Sequence, residues 1–183
     1  MRKIIVFNMV TVDGFFAGVN GDISWHNVDA EFNNFAIETF KSYGTLVFGR
    51  ITYDLMAGYW PSLEAPKQNP KAVADNMNNL PKIVFSRTMA KADWNNTTLL
   101  HKINAGEIIK MKQELGKDIV ILGSGQIVQE FAKLGLVDEY RFMINPVVLG
   151  RGKSLFKQHQ KLKLIKSREF NNGNVLVYYQ PAK

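Results

Sequence analysis

The chain has 183 residues, 46% of them hydrophobic and 21% charged, which suits one globular domain with a sizeable core. It contains no cysteine, which excludes disulfides, thiolate nucleophiles and cysteine zinc sites, and its three histidines, His26, His101 and His159, lack ligand spacing; a metal-free protein of a reducing cytoplasm is expected. The formal charge of +7 favours an anionic partner, whether nucleic acid, a membrane surface or a phosphorylated small molecule.

Taken in chain order, the apolar run at the start is interrupted by Asn8, Thr11 and Asp13 before a signal-peptide core or membrane span forms, so residues 3–10 read as a first strand with a turn at Asp13-Gly14. Phe32, Phe35, Ala36 and Phe40 recur at helical spacing, with Asp29 as N-cap and Gly44 as the expected stop. A strand at 45–48, a break at Gly49-Arg50 and a helix at 51–57 closed by Gly58 follow. Pro61, Pro66 and Pro70 predict a loop over 59–70, and 71–79 reads as another brief helix. Strands are predicted at 82–86 and 97–100, a helix at 105–115 stopped by Gly116, a strand at 118–122 and a helix ending near Gly135. Only strands remain, at 139–148, 162–170 and 174–180, the last two joined by an Asn-Asn-Gly turn that suits a hairpin. The total is about eight strands and four helices, besides the brief helix at 71–79. Strands alternating with helices predict a largely parallel sheet covered on both faces, with an antiparallel C-terminal edge.

Three strand ends carry candidate chemistry. In VILGSGQIVQEF, residues 120–131, the apolar run breaks at Gly123-Ser124-Gly125, where a parallel strand would hand over to a helix whose first N–H groups attract phosphate. The stretch fails the dinucleotide fingerprint because Val128 holds the third glycine position, and it lacks a P-loop lysine; alone it is either a phosphate cradle or a tight turn. In LVFGRITYDLM, residues 46–56, Arg50 either clamps a phosphate or pairs with Asp54 one turn along. KIVFSRT, residues 82–88, ends on Ser86 and Arg87, a hydroxyl and a cation. In one parallel sheet these three ends would converge on a shared edge.

The ordered set VDGFFAG, Ser24-Trp25, GRITY, KIVFSRT, ILGSGQIVQEF and NPVVLGRGKSLF closely resembles the dihydrofolate reductase-like superfamily, above all the C-terminal reductase domain of the bifunctional riboflavin-biosynthesis deaminase/reductase. The resemblance runs along essentially the whole chain. It implies a single three-layer α/β/α domain over residues 1–183 and an NADPH-dependent reductase of a small nitrogenous, phosphoribosylated substrate, similar to 5-amino-6-(5-phosphoribosylamino)uracil reductase. By that resemblance Met9, Phe16 and Ala17 would hold the nicotinamide; Gly49, Arg50 and Thr52 the phosphates; Ser86 and Arg87 the adenosine ribose and its 2′-phosphate; and Gly123, Ser124, Gly125, Gln126 and Ile127 the pyrophosphate. Asp13, Trp25, Trp60, Arg151 and Ser154 would border the substrate, and a homodimer is implied.

The sequence also departs from the superfamily. Dihydrofolate reductases carry an acidic residue on the first helix where this chain has Asn33, which sets folate reduction apart as a second reading. Asp29 and Glu31 lie nearby, either as proton donors or as favourable charges at a helix start. A third reading, a non-catalytic basic protein binding nucleotides or nucleic acid, is permitted by the net charge. The lysines at 153, 157, 161, 163 and 166 alternate with Leu162 and Leu164 as on a solvated strand rather than a base-stacking platform, so neither nucleic acid nor membrane is the expected partner.

Overall fold

The computed structural model describes residues 1–182. Its elements are β1 (Ile4–Thr11), β2 (Phe15–Ala17), α1 (Ala30–Phe40), β3 (Tyr43–Gly49), α2 (Arg50–Tyr59), α3 (Ala65–Gln68), α4 (Lys71–Asn79) and β4 (Lys82–Phe85). They continue as β5 (Thr97–Leu100), α5 (Ala105–Gln113), β6 (Asp118–Leu122), α6 (Gly125–Lys133), β7 (Glu139–Asn145), β8 (Lys153–Ser154), β9 (Leu162–Glu169) and β10 (Val175–Pro181). One eight-stranded sheet has the order β5-β4-β3-β6-β1-β7-β10-β9. Its first six strands are parallel, and β10 and β9 close it as an antiparallel hairpin.

Consecutive apolar residues on the central strands point to opposite faces, and each face has its own helices. Ile4, Val6, Val47, Ile119 and Ile121 pack under Ile108 of α5 and Ile127, Val128 and Phe131 of α6. Ile5, Leu46, Phe48, Val84 and Val120 pack against Phe40 of α1, Tyr53 of α2, Val73 and Met77 of α4, and Trp94. A third cluster joins Phe35 of α1 to Met143, Phe170, Leu176 and Tyr178 beneath the hairpin. Each such side chain contributes about 1.5–3 kcal/mol by burial. One buried cation is satisfied by the backbone: the Lys82 ammonium donates to the carbonyls of Asn78, Leu80 and Asn95 at 2.8, 2.8 and 3.0 Å, and burial pulls its pKa down to about 8. Among the described residues no helix is long and apolar enough to cross a membrane.

Several local expectations are corrected. The first helix stops at Phe40, where Lys41 N and Ser42 N donate to Glu38 O and Thr39 O, and Gly44 lies inside β3. A side chain at Gly44 would meet Lys117 at 3.0 Å, so that glycine permits a close approach of chains and does not cap a helix. The predicted loop over 59–70 holds the end of α2 and the one-turn α3, whose first turn accepts Pro66 because an N–H there has no partner to lose. β2 and β8, which pair antiparallel, were not predicted, since two or three residues show no periodicity.

Candidate functional site

β4, β3, β6 and β1 are neighbours in the sheet and parallel, so their C-terminal ends lie on one edge. From the adjacent strands β3 and β6 the chain leaves toward opposite faces, into α2 over the Trp94 side and α6 over the Phe131 side. That divergence opens a crevice beyond the strand ends, where open α/β sheets bind ligands.

The two helix starts are tied together. Gly49 N donates to Ser124 Oγ at 2.8 Å, and that hydroxyl donates to Leu122 O at 3.3 Å. Gly123 and Ser124 both sit at φ 60°, in the left-handed region, and successive residues of this kind turn their N–H groups into an anion-binding concavity. α6 has no side-chain cap, and Val128 N donates to Ser124 O at 3.0 Å, so the N–H groups of Gly125, Gln126 and Ile127 precede the helical ladder. A Cβ at Gly123 would lie 3.1 Å from Thr52, one at Gly49 3.0 Å from Ile127, and one at Gly125 2.9 Å from the Phe16 ring. The structure therefore brings together Phe16, Gly49, Thr52, Gly123, Ser124, Gly125 and Ile127, expected from separate motifs.

Arg50 opens α2 and pairs with Asp54 at 3.2 Å, both half exposed. Such a surface pair is worth about 0.3–0.5 kcal/mol and yields readily to a doubly charged phosphate. At the β4 end Ser86 Oγ accepts from Thr88 N at 3.3 Å and Met89 N at 3.0 Å, which closes the turn and leaves its O–H as a donor. Arg87 is exposed, and among the described residues no carboxylate pairs with it.

On the other side of the crevice Thr11 Oγ1 donates to Asp13 Oδ1 at 2.5 Å, and the Asp13 carboxylate accepts from Leu149 N and Gly150 N at 3.2 and 2.7 Å. The Thr11 hydroxyl, with those two backbone donors, holds the Asp13 carboxyl below the usual carboxylate range. Asp13 thus shapes the loop, as expected, while its acceptors are taken by the segment that precedes β8 and not aimed at a substrate. Ala17 is buried in β2, and β2 pairs with β8, which places Ser154 opposite Phe15 and the exposed Arg151 just before it. Met9 faces the α1 side and packs on the Phe35 cluster.

The loop from 18 to 28 crosses the ends of β1 and β7. Asn27 N donates to Asn145 Oδ1 at 2.8 Å, and Asn27 exchanges further bonds with Asn172 and Asn174. Trp25 Nε1 donates to Asp22 O at 3.2 Å and its ring meets the edge of His26 at 4.6 Å. His26 Nε2 is buried without a partner among the described residues, and burial pushes its pKa down to about 4.

Three sequence-predicted residues lie away from the crevice or are otherwise engaged. Trp60 follows the last residue of α2, about 15 Å along the axis from the strand edge, and packs on the Trp94 cluster. Asp29 is the N-cap of α1 and accepts from Phe32 N at 2.8 Å. Glu31 accepts from Asn171 N at 2.9 Å and from Arg168 at 3.0 Å, and those donors keep its carboxyl below the ordinary glutamate range. Asn33 lies near the start of α1. His101, at the end of β5 with Nδ1 2.9 Å from Ser86 O, was not singled out from sequence, although the strand-end rule that found Arg87 applies equally to it.

The family model of the RibD C-terminal domain matches residues 2–176. The Bacillus subtilis protein YyaP is 37% identical over 183 residues, covering 97% of this chain and 94% of its own. Among solved structures, a riboflavin biosynthesis protein of Shewanella sp. PV-4 superposes with a TM-score of 0.75 at 23% identity, over 100% of both chains. A Thermotoga maritima diaminohydroxyphosphoribosylaminopyrimidine deaminase/5-amino-6-(5-phosphoribosylamino)uracil reductase superposes at 0.68 and 17%, over 99% of this chain and 57% of that one. Enterococcus faecalis dihydrofolate reductase, complexed with NADP(H), superposes at 0.63 and 15%, over 99% and 97%. The architecture is therefore dihydrofolate reductase-like.

Proposed function

The chain belongs to the RibD C-terminal domain family, and from that premise we propose that it is an NADPH-dependent reductase of a small nitrogenous, phosphoribosylated substrate, akin to 5-amino-6-(5-phosphoribosylamino)uracil. The observation that carries this reading is the bond from Gly49 N to Ser124 Oγ, which locks two helix starts side by side at a crevice flanked by Arg50 and Arg87. Bound NADPH supplies the hydride; the protein supplies position and charge. The α6 start and Arg50 take the pyrophosphate, exchanging the weak Asp54 pair for a charge-assisted bond. Arg87 and the Ser86 O–H take the 2′-phosphate. Phe16, seated on Gly125, borders the nicotinamide and keeps water out with β2 and β8. Arg151 receives the substrate's phosphate. With Asp29 and Glu31 engaged by Phe32 N, Asn171 and Arg168, water delivers the proton. Asn33 offers no carboxylate to a pterin, so dihydrofolate is disfavoured.

Fluorescence titration with NADPH and NADH tests the reading. Micromolar NADPH binding is expected. Arg87→Ala should weaken NADPH about tenfold to a hundredfold and leave NADH nearly unchanged, and Arg50→Ala should weaken both, each losing a charge-assisted bond of about 1.5–3 kcal/mol. Absence of binding to either cofactor at micromolar concentration overturns it. A cytoplasmic homodimer completes the proposal: β9 is the sheet edge, exposed along nearly its whole length, and carries Leu164 and Ile165 in solvent. Light scattering at a single-chain mass would remove that part.

A further inference from the structure

The chain contains two Asn-Gly dipeptides, Asn20-Gly21 and Asn172-Gly173, and both close the same kind of turn. Gly21 N donates to Gly18 O at 2.9 Å and Gly173 N to Phe170 O at 3.0 Å. The two glycines sit at φ 86° and 87°, in the left-handed region that such a turn demands of its last residue. The side chains differ. Asn172 Oδ1 accepts from Asn174 N at 3.0 Å and its Nδ2 donates to Asn27 O at 3.3 Å, so its amide is pinned among the bonds that fasten the loop from 18 to 28. Asn20 is exposed, and among the described residues its amide has no hydrogen-bond partner. A Cβ at the neighbouring Gly21 would lie 3.4 Å from Lys153 Nζ. Lys153 is exposed in β8, and among the described residues it is in no ion pair. Asp22, the acid of the same turn, is taken by Ser24 N and Oγ at 3.0 and 3.1 Å.

We propose that Asn20 is a site of spontaneous deamidation, and that the acid formed there pairs with Lys153 and fastens the turn at 18–22 to β8 beside the crevice. Gly21 offers no β-carbon to obstruct the reaction. Its nitrogen attacks Asn20 Cγ: the N–C bond forms, the Cγ–Nδ2 bond breaks, and the amide leaves as ammonia with the proton of the Gly21 N–H. Water then opens the five-membered imide at one of its two carbonyls, giving aspartate or isoaspartate. One water is consumed, one ammonia is released, and no redox partner is needed. The attack requires the side chain to swing onto the following backbone nitrogen. Asn20 does so as its turn flexes in solvent, whereas Asn172 must first surrender its bonds to Asn174 and Asn27. Matching backbone turns with opposite side-chain surroundings make Asn172 the internal control. The product places a negative charge beside an unpaired cation. β2 meets β8 through the pairs Phe15–Ser154 and Ala17–Lys153, so an ion pair to Lys153 reinforces a ladder with few bonds of its own. Neither cofactor nor substrate takes part, which makes the modification independent of the reductase reading.

The test incubates the folded protein at mildly alkaline pH and physiological temperature, and follows the acid at each position by peptide mass mapping with isoaspartyl methyltransferase labelling. Asn20 should convert at least about tenfold faster than Asn172, because Asn172 reacts only from molecules in which its bonds have opened. The same incubation in concentrated urea should bring the two rates together, since the surroundings that separate them are then gone. Equal rates in the folded chain, no acid at position 20, or a difference that survives unfolding each overturn the proposal. Asn20→Asp supplies the aspartate product directly and keeps a residue that suits the turn. Amide hydrogen exchange at 18–22 should slow about twofold to threefold in Asn20→Asp, the effect of one exposed ion pair, and should return to the wild-type rate when Lys153→Met is added. No slowing, or slowing that persists without Lys153, removes the pairing from the proposal.

Discussion

Ser124 is held at φ 60°, where a β-carbon costs about 1–2 kcal/mol that glycine avoids. The hydroxyl offsets that strain by accepting from Gly49 N, whose loss would leave a half-buried backbone donor unpaired at about 1–3 kcal/mol. The two contributions separate by substitution. Ser124→Ala loses the bond and keeps the strain; Ser124→Gly loses the bond and sheds the strain. Urea denaturation should rank stability as wild type, then glycine, then alanine, with about 1 kcal/mol between the variants, and NADPH affinity should fall in both. Equal stability of the variants would disprove the strain. The sequence identified Ser124 through its place after an apolar run but left open a tight turn or a phosphate cradle. Neither the left-handed backbone nor a partner 75 residues away is visible in a local pattern. The structure shows the tight turn, and the phosphate cradle is the reading proposed for the N–H groups that this turn presents. Arg50 is similar: its pairing with Asp54 is present, and is too weak to oppose an anion.

At the scale of elements, legibility followed length. β1, β4, β6 and the hairpin strands announced themselves as apolar or alternating runs, and α6 ends beside Gly135 in a left-handed cap, as its glycine predicts. The β2–β8 ladder could not be read, although it borders the crevice, because its pairing joins Phe15 to a residue 139 positions on and rests on very few bonds. Gly152 shows what the ladder demands: a Cβ there would stand 2.6 Å from Ala17 O and 2.9 Å from Phe15. Overpacking of this kind typically costs about 1–3 kcal/mol, and so short a ladder cannot absorb it. Gly152→Ala should therefore detach β8 from β2, raising amide hydrogen exchange at 15–17 and 153–154 while β1 and β6 keep their protection. Unchanged exchange in β2 would mean that the two strands part without resistance. Gly44 ends no helix for a related reason: a glycine in sequence does not say which neighbouring chain it meets.

For the whole molecule, the parallel sheet was legible from alternation, but its order was not, since β6 inserts between β1 and β3 through contacts more than seventy residues apart. The loop that caps β1 and β7 belongs to the same long-range class. Asn27 fastens it to Asn145, Asn172 and Asn174, and that fastening buries His26 beside Trp25 with Nε2 unpartnered. Its pKa falls from the ordinary 6.5 to about 4, mainly through burial, while Asp22 pulls it slightly upward. The unfolded chain therefore binds this proton more readily than the folded one. Above pH 6.5 both states hold a neutral ring and the group contributes no pH dependence. As pH falls from 6.5 toward 4, stability is lost with a slope approaching about 1.4 kcal/mol per pH unit, on the order of 3 kcal/mol in all. Asp13, Asp22 and Glu31, whose carboxyls are held below their ordinary values of 3.8, 3.8 and 4.5, lose their stabilisation mainly at lower pH, as they protonate. Urea denaturation between about pH 7 and pH 4.5 therefore isolates the histidine. His26→Gln should flatten the wild-type slope across that window, whatever it does to stability at neutral pH. A variant that loses stability as steeply as the wild type would place the proton elsewhere and His26 in contact with water.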